Sequence, residues 1–191
     1  MPASDVKKSP ILYVFFGLIA SGKSTLAMAW ADHKQLPYYN SDRIRKELAG
    51  LSPTTRRRDS VDMGIYSRDF SRRTYGLLHQ KAEMHLQQGE SVILDASYQY
   101  AGDRQNLQEL VKSMHGRVCF ILCECPETEM LRRMKRRQKD PDAVSDGRWE
   151  VYQKQKGRFE APEELSRTEL IKINTEAPVA ALLKELDRKL S

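Results

Sequence analysis

The chain has 191 residues, 40% hydrophobic and 30% charged, with a formal net charge of +6. That length supports one well-buried core and is short for two, so a single unit over residues 10–191 is expected behind a loose charged tail at 1–9. No apolar run approaches a membrane span, and the three cysteines crowd together at 119, 123 and 125; membrane-embedded and disulfide-stapled classes are excluded, and the chain reads as cytoplasmic with reduced, packed thiols.

From residue 10 onward, short apolar stretches rich in β-formers alternate with longer stretches of helical spacing, the signature of an α/β protein with a mainly parallel sheet. The first strand is ILYVFF at 11–16. It runs into Gly17-Leu18-Ile19-Ala20-Ser21-Gly22-Lys23-Ser24, which matches the phosphate-loop pattern G-x-x-x-x-G-K-[ST] at every fixed position and opens a helix expected over 22–33. Glycine at 17 and 22 permits a tight turn, so that successive N–H groups, those of Ala20 and Ser21 included, surround phosphate oxygens together with the positive end of the helix. In that arrangement Lys23 reaches the β- and γ-phosphates of ATP, the Ser24 hydroxyl ligates Mg²⁺, and Thr25 stands beside them. The alternative, a capped strand-to-helix turn, explains neither Lys23 nor the second glycine.

A second strand, LPYYN at 36–40, leads to Asp42 and a helix over 42–49. Open parallel sheets place functional groups at the carboxyl ends of strands, which makes Asp42 a candidate to deprotonate an acceptor hydroxyl. Arg45, three residues on, lies on a neighbouring surface and suits a phosphate; the competing reading of Asp42 is a helix N-cap. Residues 50–64, GLSPTTRRRDSVDMG, carry few apolar anchors and many turn formers, so they read as a mobile loop ahead of a long helix at 66–88. In that helix Tyr66, Phe70, Leu77, Leu78 and Ala82 approximate one apolar face.

The third strand, SVILD at 91–95, ends on Asp95, placed to face Mg²⁺ or its water shell, or else a turn-forming residue at a strand exit. Helix 103–115, strand 117–123 and helix 127–137 follow. The last carries Arg132, Arg133, Lys135, Arg136 and Arg137, and spacing of four leaves two pairs open, Arg133 with Arg137 and Arg132 with Arg136, for charge on a transferring phosphoryl group. A loop at 138–147, a helix at 147–157, strand 169–173 and helix 178–190 complete the chain.

Taken together, GLIASGKST, YNSDRIRKEL, VILDAS with Arg104 beyond it, and LRRMKRRQKDPDAVSD resemble the AAA-type ATP-binding kinases that include polynucleotide 5′-hydroxyl kinases and zeta-toxin-like kinases, over about residues 11–165. The resemblance implies the P-loop kinase fold, a doubly wound five-stranded parallel sheet in the order 2-3-1-4-5 with a helical lid. It implies Asp42 as general base, Arg45 near the reacting phosphate, Arg133 and Arg137 as the lid arginines, and Asp95 near metal and acceptor. The basic clusters at 56–58 and 72–73 favour a polyanionic acceptor such as a nucleic-acid 5′ end. Rival readings are a kinase of a small metabolite (a sugar, an antibiotic, a nucleotide sugar), a hydrolysing ATPase, and a nucleotide-binding module without catalysis. No N-K-x-D segment that could read guanine is present, and Ala96, not a second acid, follows Asp95.

Overall fold

Strands whose apolar residues run without alternation must be covered on both faces. In the computed structural model, which describes residues 9–55, 63–138 and 149–190, such strands occupy the middle of the sheet. The strands are β1 (Ile11–Phe16), β2 (Tyr38–Asn40), β3 (Val92–Asp95), β4 (Arg117–Glu124) and β5 (Leu170–Asn174). The helices are α1 (Lys23–Lys34), α2 (Ser41–Leu48), α3 (Arg68–Gln87), α4 (Ala101–Ser113), α5 (Glu127–Gln138), α6 (Trp149–Arg158) and α7 (Val179–Leu190). All four strand pairings are parallel, in the order β2-β3-β1-β4-β5, so the expected doubly wound sheet and its strand order are observed.

The period of two along β1 divides the interior. Leu12, Val14 and Phe16 meet Leu78, Ala82 and Leu86 of α3 and Leu107 and Val111 of α4. Phe15 points the other way, to Leu26, Ala27 and Trp30 of α1 and Leu182 and Leu186 of α7. A third cluster joins Ile19 and Ala20, just beyond β1, to Met130 and Met134 of α5 and Tyr152 of α6. Because pairing sets Phe15 against Asp95, Asn40 against Asp95, Phe16 against Leu122 and Glu124 against Asn174, the carboxyl ends of all five strands line one edge.

Of the helix starts that shift by a residue or two from the sequence reading, two have a visible cause in their capping. Tyr66 belongs to a 3-10 turn, Gly64–Tyr66, and α3 begins after it because the Ser67 hydroxyl accepts from the Phe70 amide at 3.4 Å. Helix α2 starts at Ser41, capped by Asn40, whose Oδ1 accepts from the Arg43 amide at 3.0 Å; Asp42 is therefore in the first turn and not the cap. At its other end α3 stops within a residue of the expected 88, where Gly89 takes φ +74° and the Glu90 amide donates to the His85 carbonyl at 2.9 Å. The tail at 1–8, the arginines at 56–58 and nearly all of the 138–147 loop lie outside the described residues. No described helix is long and apolar enough to cross a membrane.

Candidate active site

The loop after β1 takes the shape its glycines permit. Gly17 has φ +135°, and a methyl group there would lie 2.5 Å from the Cys123 carbonyl oxygen; Gly22 has φ +89° and is equally closed in. Between them Ala20 adopts φ +62°, a left-handed residue that no glycine announces. No side chain among the described residues caps the start of α1, which leaves its first amides and the positive end of its dipole available to an anion. The Ser21 hydroxyl is buried with no partner among the described residues, an unusual state for a buried polar atom and one that an anion's oxygen would relieve. Lys23 extends back along the loop, its Nζ 3.3 Å from the Leu18 carbonyl oxygen.

Facing the loop, the ends of β2 and β3 are bolted together. Asp95, fully buried, accepts through Oδ2 from the Tyr38 hydroxyl at 2.7 Å and from Asn40 Nδ2 at 2.6 Å. Burial, then the charge of Asp95, pushes the Tyr38 phenol upward, so it stays a proton donor. The other oxygen, Oδ1, finds no partner among the described residues. Asp95 is thus more than a turn residue. It holds Asn40, Asn40 caps α2, and the first turn of α2 carries Asp42. Withdrawal from water pushes the Asp42 carboxyl above its ordinary range, while Arg45 and Lys23 pull it back. The acid and the loop lysine therefore share one electrostatic field.

Arg45 does not turn towards the loop. Buried, it donates through Nη1 to the Ile65 carbonyl at 2.8 Å and the Ser71 hydroxyl at 3.1 Å, and its guanidinium lies 5.1 Å from the Tyr66 ring centroid. Its contacts tie α2 to the Gly64–Tyr66 turn and the first turn of α3, and its Nε has no partner among the described residues.

Helix α5 settles which arginine pair faces inward. Arg132 and Arg136 are exposed, and Arg132 pairs with Glu129 in solvent. Arg133, only 14% exposed, donates through Nε to Glu129 at 2.7 Å, through Nη1 to Thr175 Oγ1 at 3.0 Å and the Ala20 carbonyl at 3.4 Å, and through Nη2 to the Thr175 carbonyl at 2.7 Å. It braces the phosphate loop from behind. Arg137 is half-buried; loss of water lowers its pKa and the Asp42 carboxylate raises it back, so the two charges act on each other. A pocket of about 230 Å³ opens between α5 and the β5–α7 turn, lined by Gly22, Thr25, Leu26, Arg133, Arg137, Thr175 and Pro178 among others.

The structure therefore gathers Lys23, Ser24, Asp42, Asp95 and Arg137 at the carboxyl edge and puts Arg45 and Arg133 into supporting contacts. Among the residues that the sequence reading does not single out are Asn40 and Thr175. Asn40 carried a signal, a capping residue type at a strand end before helical spacing. Thr175, whose hydroxyl donates to the Ser21 carbonyl at 2.5 Å, carried none. No group of three His, Cys, Asp or Glu side chains able to hold a metal occurs among the described residues, so a cation here would rely on few protein ligands. Ser24 and the open Asp95 Oδ1 are oxygen donors of the type Mg²⁺ takes.

A family profile described as an AAA domain matches residues 12–162. No curated protein sequence matches the chain. Among solved structures, the chain is similar to a candidate kinase from Chloroflexus aurantiacus J-10-fl (TM-score 0.72, 19% identity, covering 96% of this chain and 100% of that one). It is similar to a gluconokinase from Sinorhizobium meliloti 1021 (TM-score 0.64, 19% identity, 96% and 93%). It is also similar to the Mycobacterium tuberculosis APS kinase CysC, solved with AMPPNP and APS (TM-score 0.66, 16% identity, 96% and 98%). At these identities the likeness shows the fold, which is that of P-loop kinases.

Proposed function

This chain belongs to the AAA domain family, and from that premise we propose that it is an ATP-dependent phosphotransferase that moves the γ-phosphoryl group onto a hydroxyl acceptor. The observation that carries the reading is the uncapped start of α1 within an intact phosphate loop, with Asp42 in the same field as Lys23. Loop amides and Lys23 hold the phosphates, and the pocket between α5 and the β5–α7 turn takes the base. Asp42 receives the acceptor's proton as the acceptor oxygen bonds to the γ-phosphorus and the bond to the β,γ-bridging oxygen breaks, releasing ADP. A carboxyl raised above its ordinary range is the better base for that step. Arg137 offsets charge on the group in transit. Ser24 and Asp95 are the residues that would hold Mg²⁺, which when bound neutralises charge shared by the β- and γ-phosphates.

For the acceptor, a small hydroxyl compound is favoured by likeness to a gluconokinase and an APS kinase, and by the commitment of Arg45 to its own chain. A polynucleotide 5′-hydroxyl is the second reading, favoured by exposed Arg43 on α2 and Arg68, Arg72 and Arg73 on α3. Labelled ATP offered with a panel of sugars, nucleotide sugars and 5′-hydroxyl oligonucleotides decides between them. Lys23→Ala is expected to abolish transfer, and Asp42→Asn to remove transfer while sparing ATP binding. Hydrolysis at full rate without any acceptor, surviving Asp42→Asn, would overturn the proposal in favour of an ATPase.

A further inference from the structure

The phosphate loop is held at its apex by a side chain that comes from far along the sequence. Gln155 of α6 accepts through Oε1 from the Ile19 amide at 2.9 Å, across 136 residues of chain. The same peptide unit is fixed at its other end. The Leu18 carbonyl, bonded to the Ile19 nitrogen, accepts from Lys23 Nζ at 3.3 Å and from the Ser21 amide at 3.2 Å. A peptide is planar, so its N–H and C=O turn together. An acceptor that fixes the Ile19 N–H therefore fixes the direction of the Leu18 oxygen, and with it the resting place of the Lys23 ammonium.

Gln155 can act this way only if its own backbone is rigid, and α6 is clamped on both sides. Towards α5, Tyr152 is buried among Ile19, Ala20, Met130 and Met134, and its hydroxyl donates to Glu127 at 3.0 Å. Lys156 reaches the same Glu127 oxygen at 2.6 Å, and Trp149 stacks on Tyr152 with centroids 4.9 Å apart. Beyond α6, the Glu160 amide donates to the Gln99 carbonyl, and buried Arg104 binds the Glu160 carbonyl and the Glu164 carboxylate. Ile19 itself is 8% exposed, so water cannot freely replace a lost Gln155 oxygen.

We propose that Gln155 is a positioning residue of the phosphate loop, acting on Lys23 through the Leu18–Ile19 peptide. The inference rests on the phosphotransferase reading, because it needs a triphosphate for Lys23 to meet. Gln155→Met keeps the length and helix propensity of the side chain and deletes the acceptor oxygen. It is expected to weaken AMPPNP binding ~10-fold, the loss of one well-placed hydrogen bond. In a Lys23→Ala background the same change is expected to cost less than ~2-fold, since the group it positions is gone. A purely structural Gln155 would instead give additive losses. The variant-free measurement is amide exchange in the wild-type protein, where Ile19 is expected to be protected.

Wild-type protein that fails to bind AMPPNP would overturn the phosphotransferase reading and this inference with it. Wild-type protein that binds AMPPNP while Gln155→Met binds it equally well, or loses affinity additively with Lys23→Ala, would overturn the inference alone. So would an Ile19 amide that exchanges like an unstructured one.

Discussion

Gly22→Ala adds one methyl group at the point where the phosphate loop, α5 and the β5–α7 turn meet. The new Cβ would lie 2.7 Å from Arg133 Nη1, 2.8 Å from Thr175 Oγ1 and 2.9 Å from Thr175 Cβ, where comfortable packing needs ~3.5–4.0 Å between carbon atoms. Arg133 cannot retreat without leaving both the Thr175 carbonyl and the Ala20 carbonyl. Backbone strain at φ +89° contributes ~1–3 kcal/mol and overpacking another ~1–3 kcal/mol, so a loss of about 2–6 kcal/mol is expected. For a chain of this size that is a fall of roughly 4–24 °C in melting temperature. Thermal unfolding without nucleotide measures it. Arg133→Ala in the same background removes the nearest clash, so the double variant should be more stable than the summed losses by ~1 kcal/mol. A Gly22→Ala protein that melts within 1 or 2 °C of wild type (about the ~0.5 kcal/mol expected of an innocuous surface change), or a strictly additive double variant, would refute the packing argument.

Two further outcomes follow from charge. Because the folded state holds the Asp42 proton more tightly than the unfolded chain does, the Asp42 contribution to stability is greatest below the ordinary carboxylate range and is lost as pH rises through the raised native value. Asp42→Asn should therefore melt at or above wild type at neutral pH, while wild-type transfer should show an acid limb above the ordinary carboxylate range; a lower melting point at pH ~7 would contradict the linkage. Arg104→Ala strips a fully buried guanidinium from Glu164 and the Tyr98 carbonyl, and ~3–5 kcal/mol of stability should be lost in a urea titration. For Glu164, burial raises the pKa but hydrogen bonds from Arg104 bring it below its usual range overall, so the wild-type pair should weaken as pH falls through that lowered value and the variant should not show that loss.

The elements were legible because their signals are local. Continuous Val-Ile-Leu in β3, the glycines of the phosphate loop ahead of α1 and the β-forming run of β1 depend only on neighbours in sequence, and the expected β1 at 11–16 is the strand observed. The start of α3 was misplaced because Ser67 takes the cap only once Gly64–Tyr66 has formed its own turn. The strand order came from resemblance to a family and not from any residue pattern, since nothing local says which strand lies beside which.

At the site the same division holds. The sequence determined the phosphate loop, its two glycines, its lysine and serine, and the acids at the strand ends, because these are matters of spacing and backbone freedom. The tertiary structure alone decided that Arg133 rather than Arg132 faces inward, that Arg45 is turned to Ile65, and that Asp95 steadies Asp42 through Asn40. It also decided that Gln155 and Thr175 grip the loop from 136 and 154 residues away. Hydrogen bonds across such separations exist only after the sheet has ordered its strands, and an order of that kind is a property of the packed whole that no window of sequence contains.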